Sequence, residues 1–329
     1  MSKWLDTPKL ELHLHLEGAA PPAFIRSLAD RKRIALGPIF DDAGNYSYTG
    51  FTDFLNVYEQ ACEVLKTPRD YHDLTLAVLN QSASHNVIYT EIFASPDFCG
   101  GSDPVAWREY FAAITEAAEA AQADTGIDCR FVGTCVRHFG PEKAEVAALR
   151  CAEVAGDRMV GFGMGGAEGY LRPADFTRAF ACAAEAGLPL TTHAGEFGGA
   201  ESVSESLDHL GVRRIGHGVR SIEDAGLIGR LAAERITLEV NPGSNIALGV
   251  YGNWADHPIA RLRAAGVPVT VSTDDPPYFH TDMTREYDML EQVFGWGEAE
   301  FIEVNENAVE AAFCDDATKT KLREILNGA

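Results

Sequence analysis

The chain has 329 residues, 46% of them hydrophobic and 23% charged, and a formal net charge of −22. This is ordinary globular composition with an acidic surface, which argues against nucleic acid and membrane-surface partners because both call for basic patches. Seven scattered cysteines without a C-x-x-C, no apolar leader and no long uncharged apolar run predict a reduced, cytoplasmic protein without disulfides or a membrane span.

Residues 10–15 form the first predicted strand, in the stretch LELHLHLEGA. The insertion that follows, about residues 18–86, holds at least two predicted helices, 51–65 and 69–85. It leaves directly from the end of the first strand and is a candidate lid. Strand 87–94, an Ala-rich helix around 105–125, strand 128–135, helix 141–155 and strand 159–163 come next. Helix 173–187 closes on Glu185-Ala186-Gly187 before strand 189–193, with a proline just past the glycine. Strand 214–217, helix 221–234, strand 237–241, helix 257–265 and strand 268–272 complete the rhythm. Two or three closing helices occupy about 289–326. Strand and helix alternating through eight strands predict an α/β fold. The architecture is a single (β/α)8 TIM-type barrel domain over residues 1–329, with the helical insertion after strand 1 and C-terminal helices.

Active sites of such barrels form at the C-terminal ends of the strands, and the polar residues concentrate there. The first strand ends in His13-x-His15, the fifth in THAGE, the sixth in IGHG and the eighth in STDDPP. Residues i and i+2 of a strand face the same way, so His13 and His15 both enter the barrel mouth. His193 and Asp274 can complete a set of three imidazoles and one carboxylate. That set suits one zinc ion with room for a water, whose pKa zinc lowers to about 7. Two-metal sites in such barrels commonly use a bridging lysine, and residues 159–168 contain none, which favours a mononuclear site. Glu196 can face the same pocket and shuttle protons, His217 can hold the water, and Asp275 can bond to substrate. The glycine-rich stretch 161–168 lets a backbone N–H approach a flat ligand, and it lacks the lysine pattern of a phosphate loop. Singly, each feature has a plainer reading: a core histidine, a DDPP turn, a bare glycine turn. Convergence from four strand ends favours the metal site. The other histidines, His72, His85, His138, His209, His257 and His280, read mostly as surface or loop residues.

Together PKLELHLHLEGA, THAGE, RIGHG and STDDP, in this order and spacing, resemble the adenosine and adenine deaminases of the amidohydrolase superfamily. FTDFLNVYEQA is similar to that family's lid segment. The resemblance implies one Zn2+ per subunit on His13, His15, His193 and Asp274, with Glu196 protonating a ring nitrogen and His217 orienting or deprotonating the water. His15, Glu17, Gly166 and Asp275 would face the purine, Gly166 through its backbone N–H and Asp275 toward the imidazole ring. Water activated at zinc would attack carbon 6 and ammonia would leave. Glu17 stands where the adenosine branch usually has a ribose-contacting Asp, and Glu is commoner in the adenine branch. Gly163 and Ala167 each replace a usual Asp, and Asn241 a usual Cys, whereas the GGAE stretch is closer to the adenosine branch. The first expectation is therefore deamination of adenosine or deoxyadenosine to inosine or deoxyinosine. The alternative, motivated by Glu17, is free adenine or a modified adenosine. A catalytically silent ligand-binding barrel would lack Glu196 or a metal ligand, and all are present. The expected partner is a small aminopurine, with neither nucleic acid nor membrane; a homo-oligomer is left open.

Overall fold

The computed structural model describes residues 2–328. Among them, eight strands follow in chain order: β1 (Lys9–His15), β2 (Val87–Ala94), β3 (Asp128–Val136), β4 (Met159–Gly165), β5 (His193–Ala194), β6 (Arg214–His217), β7 (Thr237–Val240) and β8 (Val269–Val271). β1–β4 form one parallel sheet and β5–β8 another. Two seams join them. At one, Phe162 N–H donates to Pro189 O at 2.9 Å and Thr191 N–H to Phe162 O at 3.0 Å. At the other, His15 N–H donates to Asp274 O at 3.0 Å and Asp274 N–H to His13 O at 3.1 Å. The sheet thus closes as the (β/α)8 barrel. The backbone of His13, His15 and Asp274 makes the closing seam, so barrel closure also assembles these side chains.

Parallel strands covered on both faces favour continuous apolar runs, and β8 (VTV) departs from that rule only by the buried Thr270. β1 departs further: Lys9, Glu11 and His13 are buried alongside its leucines. Glu11 accepts from Thr273 N–H at 3.0 Å and from the Thr273 hydroxyl at 2.5 Å. The β1 amides on the seam find side-chain acceptors, Leu10 N–H on Asn305 Oδ1 at 2.9 Å and Leu12 N–H on Ser272 Oγ at 3.1 Å. Each acceptor satisfies a buried donor that the short β8 leaves without a ladder partner.

Between β1 and β2 lie α1 (Pro22–Lys32), α2 (Gly50–Cys62) and α3 (Pro68–Ser84). The last two correspond to the predicted 51–65 and 69–85. α1 was not predicted: its N-cap is Pro21, which makes no side-chain cap, so the usual start signal is missing. α4 (Pro104–Thr125) begins on an Asp103 cap and ends at left-handed Gly126. α5 (Pro141–Glu153) and α6 (Thr177–Glu185) follow. α7 (Ala200–Leu210) also escaped prediction, because its sequence AESVSESLDHL is serine- and acid-rich and starts from uncapped Gly199. α8 (Ala225–Glu234) starts on an Asp224 cap. Two short helices with proline at their starts, α9 (Pro242–Ala247) and α11 (Pro276–Phe279), follow β7 and β8, with α10 (Ile259–Ala264) between them. α12 (Met283–Phe294), α13 (Glu298–Ala311) and α14 (Asp316–Gly328) are the closing helices, and α13 packs over β1 and β8 at the seam. β5 is confined to His193–Ala194 where 189–193 was expected: Pro189 has no N–H to give a ladder, and Leu190 makes only an isolated bridge to Phe162. β4 instead extends to Gly165. No helix among the described residues is long and apolar enough to cross a membrane.

Candidate active site

The four residues expected to hold a metal come together. His13, His15, His193 and Asp274 each offer a ligand atom, all within 4.8 Å of one another. His13 Nε2 and His15 Nε2 lie 3.0 and 3.1 Å from His193 Nε2, and 3.3 and 3.1 Å from Asp274 Oδ1. Ligands about 2.0–2.2 Å from one ion are spaced in this way. The His13 ring is oriented by its other nitrogen, 2.8 Å from Glu239 Oε2. A carboxylate behind a ligating histidine fixes Nε2 as the free lone pair. Imidazole lone pairs converging at these distances repel unless a cation lies between them, so the donor set fits a metal ion. Asp274 has φ +67° and His217 φ +61°. Left-handed backbone at two non-glycine residues of one site is strain held by the surrounding fold.

A second cluster adjoins the first. His217 Nε2 lies 3.7 Å from Glu196 Oε2 and 3.8 Å from Asp274 Oδ2. Burial, reinforced by the charges of Asp274 and Glu168, pushes the Glu196 carboxyl well above its usual range. Burial pushes His217 down to about 4, so its imidazole is neutral. The Glu196 backbone is held by Glu168, whose carboxylate accepts N–H bonds from Gly195, Glu196, Phe197 and Gly198 at 2.6–3.0 Å, and from the Ser202 hydroxyl at 2.6 Å. Burial opposes ionisation of Glu168, yet these donors hold it below the ordinary range.

Above both clusters opens a cleft of about 730 Å³ that includes its mouth. His15, Glu17, Gly166 and Asp275 all line it. Glu17 is 3% exposed and accepts from Tyr71 Oη at 3.0 Å and Tyr58 Oη at 3.4 Å. Burial raises it to about 7. Asp275 Oδ1 is buried without a partner, and burial together with Asp274, Glu196 and Glu17 pushes its carboxyl well up. A Cβ at Gly18 would lie 1.5 Å from that oxygen, so only glycine fits there. Gly166 has φ +95°, and a Cβ would meet His138 Nδ1 at 2.8 Å. Helix α2 roofs the cleft with Phe51, Phe54, Leu55 and Tyr58. It leans on the barrel rim through Phe51 on Phe197, centroids 4.3 Å apart, and through Glu59 Oε1, 3.2 Å from His138 Nε2.

Some contributors were not visible in the sequence. Glu239 also accepts from Thr191 Oγ1 at 2.9 Å and Arg214 Nε at 2.6 Å. Although burial works against it, Arg214 lowers Glu239 to about 2. Ser244 on α9 donates to Asp274 Oδ2 at 2.8 Å. Two histidines correct the surface reading. His138 lines the cleft and accepts from Ala167 N–H at 3.2 Å. His257 is buried, 3.1 Å from Asn245 Oδ1.

The whole chain can be placed against known proteins. It is 44% identical to the adenine deaminase of Agrobacterium fabrum (strain C58) over 321 residues, 98% of each protein. The crystal structure of adenine deaminase from Arthrobacter aurescens superposes with a TM-score of 0.90 at 34% identity, covering 98% of both chains. An amidohydrolase from Burkholderia ambifaria with bound Zn superposes with a TM-score of 0.88 at 27% identity, covering 99% of this chain and 91% of that one. These likenesses make the chain a hydrolytic deaminase. Since the adenosine deaminase family model matches residues 8–328, the chain belongs to the adenosine deaminase family.

Proposed function

We propose that this enzyme converts adenine to hypoxanthine and ammonia, with one zinc ion held by His13, His15, His193 and Asp274. When bound, zinc supplies a polarised water that is nucleophilic at neutral pH. Glu196, whose carboxyl burial pushes up toward its protonated form, delivers a proton to the ring nitrogen beside the reacting carbon as negative charge develops on the ring. His217 stands over the reacting face. Asp275, which lines the cleft and whose carboxyl is pushed up by burial and its acidic neighbours, faces the imidazole ring of the purine. The Gly166 N–H positions the six-membered ring, and Phe93, 5.0 Å from the His15 ring, helps to keep the base flat and the site dry.

Glu17 carries the choice of the free base over the nucleoside. Its two oxygens are tied by Tyr71 and Tyr58, under a roof of α2 aromatics. A carboxyl held so, and neutral over much of the pH range below 7, suits pairing with ring nitrogens on the sugar edge of a base. Ionised only in part at neutral pH, it offers ribose hydroxyls less negative charge than an exposed carboxylate would. The relatives named adenine deaminase support the same choice, so the free-base alternative replaces the nucleoside expected first. Ammonia release from zinc-loaded protein tests this. Turnover of adenine with at least about a hundredfold lower kcat/KM for adenosine is expected, about 2.7 kcal/mol of discrimination. A preference for adenosine would overturn the assignment.

A further inference from the structure

A buried chain of side chains leads away from His217, through Asn245 on α9, to His257 before α10. We infer that Asn245 and His257 are positioning residues that hold His217 with its ring hydrogen on Nε2, so that His217 donates into the reaction centre and takes no proton from it. This rests on the proposed role of the cluster around Glu196 but not on which purine is the substrate.

The argument begins at a group whose polarity is fixed. The backbone N–H of Ile259 can only donate, and it lies 3.3 Å from His257 Nδ1. That nitrogen is therefore an acceptor, and the hydrogen of neutral His257 sits on Nε2. His257 Nε2 is 3.1 Å from Asn245 Oδ1, a donor facing an acceptor. The amide oxygen of Asn245 is thereby turned to His257, and its NH2 must face the other way. There it lies 3.2 Å from His217 Nδ1. An amide NH2 can only donate, so His217 Nδ1 must accept and carries no hydrogen. The hydrogen of neutral His217 is on Nε2, the atom that points between the carboxylates of Glu196 and Asp274. Asn241 brings a second amide nitrogen to His217 Nδ1, at 3.4 Å.

Burial makes the chain consequential. His217 and His257 are each 1% exposed, and Asn241 and Asn245 are 0% exposed, so no bulk water can replace a lost partner. The opposite tautomer would set an N–H against an NH2, with two buried donors left unsatisfied. With its lone pair engaged on the Asn245 side, His217 can steady a developing hydroxide by donation. Proton transfer then belongs to Glu196, which gives its proton to the ring nitrogen and regains one from the attacking water.

Long-range 1H–15N correlation on 15N-histidine-labelled, metal-loaded protein reads the tautomer directly, with the His217 signals identified by their loss in His217→Gln. A lone-pair nitrogen at Nδ1 and a protonated Nε2 are expected. A protonated Nδ1 in the wild-type protein would overturn the inference. Asn245→Asp supplies an acceptor-only carboxylate and should draw the hydrogen to Nδ1, with kcat falling at least about tenfold and KM changing less than about threefold. A switched tautomer with unchanged kcat would remove the positioning role. The wild-type spectrum decides the tautomer even where Asn245→Asp fails to fold. It also decides it whichever aminopurine is turned over, so a wrong substrate assignment would show separately in the ammonia assay.

Discussion

Glu196 illustrates how one residue draws its chemistry from its surroundings. A glutamate in water would be ionised and a poor proton donor at pH 7, but here burial beside Asp274 and Glu168 shifts it toward the protonated form. Glu196→Gln retains the shape and loses the transferable proton. Its kcat should fall by about 10²–10⁴, while metal content, read by atomic absorption, stays at the wild-type level because Glu196 is not among the four converging ligands. Turnover within about threefold of wild type would remove Glu196 from the proton transfer. Glu196 was legible in the sequence because it sits in THAGE at a strand end, as were His13, His15, His193, His217, Asp274 and Asp275 in their own motifs. Glu239 was not, since TLEV carries no motif around it. The hint was physical: a carboxylate in a strand buried on both faces must have a cationic or donating partner. That partner, Arg214, is identified only by the register that sets Gly216 beside Glu239 on neighbouring strands.

At the scale of elements, the strand ends present most of the ligands and the connections hold them in place. Glu168 ties the loop after β4 to the segment after β5 with one carboxylate. In Glu168→Gln, one of the two accepting oxygens becomes an NH2. Whichever way the amide turns, at least one backbone N–H loses its acceptor, at about 1–3 kcal/mol for each buried group left unsatisfied. The melting temperature should drop by a few degrees, and kcat should fall more than KM rises because the Glu196 backbone is released. A variant with wild-type melting temperature and kcat would show that the loop holds itself. Element prediction failed where the local signals are weak. α1 and α7 lack capping side chains, and α9 and α11 are too short for periodicity. The βα alternation survived these misses because the strand ends carried the pattern.

Across the whole molecule, the C-terminal helices reach the site through a buried carboxyl. Glu286 of α12 accepts from Gly243 N–H on α9 at 3.1 Å and lies 2.5 Å from Thr281 Oγ1. α9 carries Ser244 and Asn245, so this contact links the closing helices to the residues beside Asp274 and His217. Burial raises Glu286 from 4.5 to about 8, with Asp282 adding to the rise and Arg285 opposing it. The folded state therefore keeps this proton across a range in which the unfolded chain has released it. Protons bound by the folded state exceed those of the unfolded state between about pH 4.5 and 8, so stability falls with rising pH over that window. The contribution is complete below the unfolded value and is lost as pH rises through the folded one. Its size is on the order of a few kcal/mol. Glu286→Gln mimics the neutral acid, since its amide can accept from Gly243 and donate to Thr281. The variant should match wild type near pH 5 and melt at progressively higher temperature than wild type as pH approaches 8. Glu11 and Glu17, also raised by burial, titrate in both proteins and cancel in the difference. Melting curves that stay parallel between pH 5 and 8 would mean that Glu286 is ionised in the folded protein and that α12 grips α9 through a charge instead.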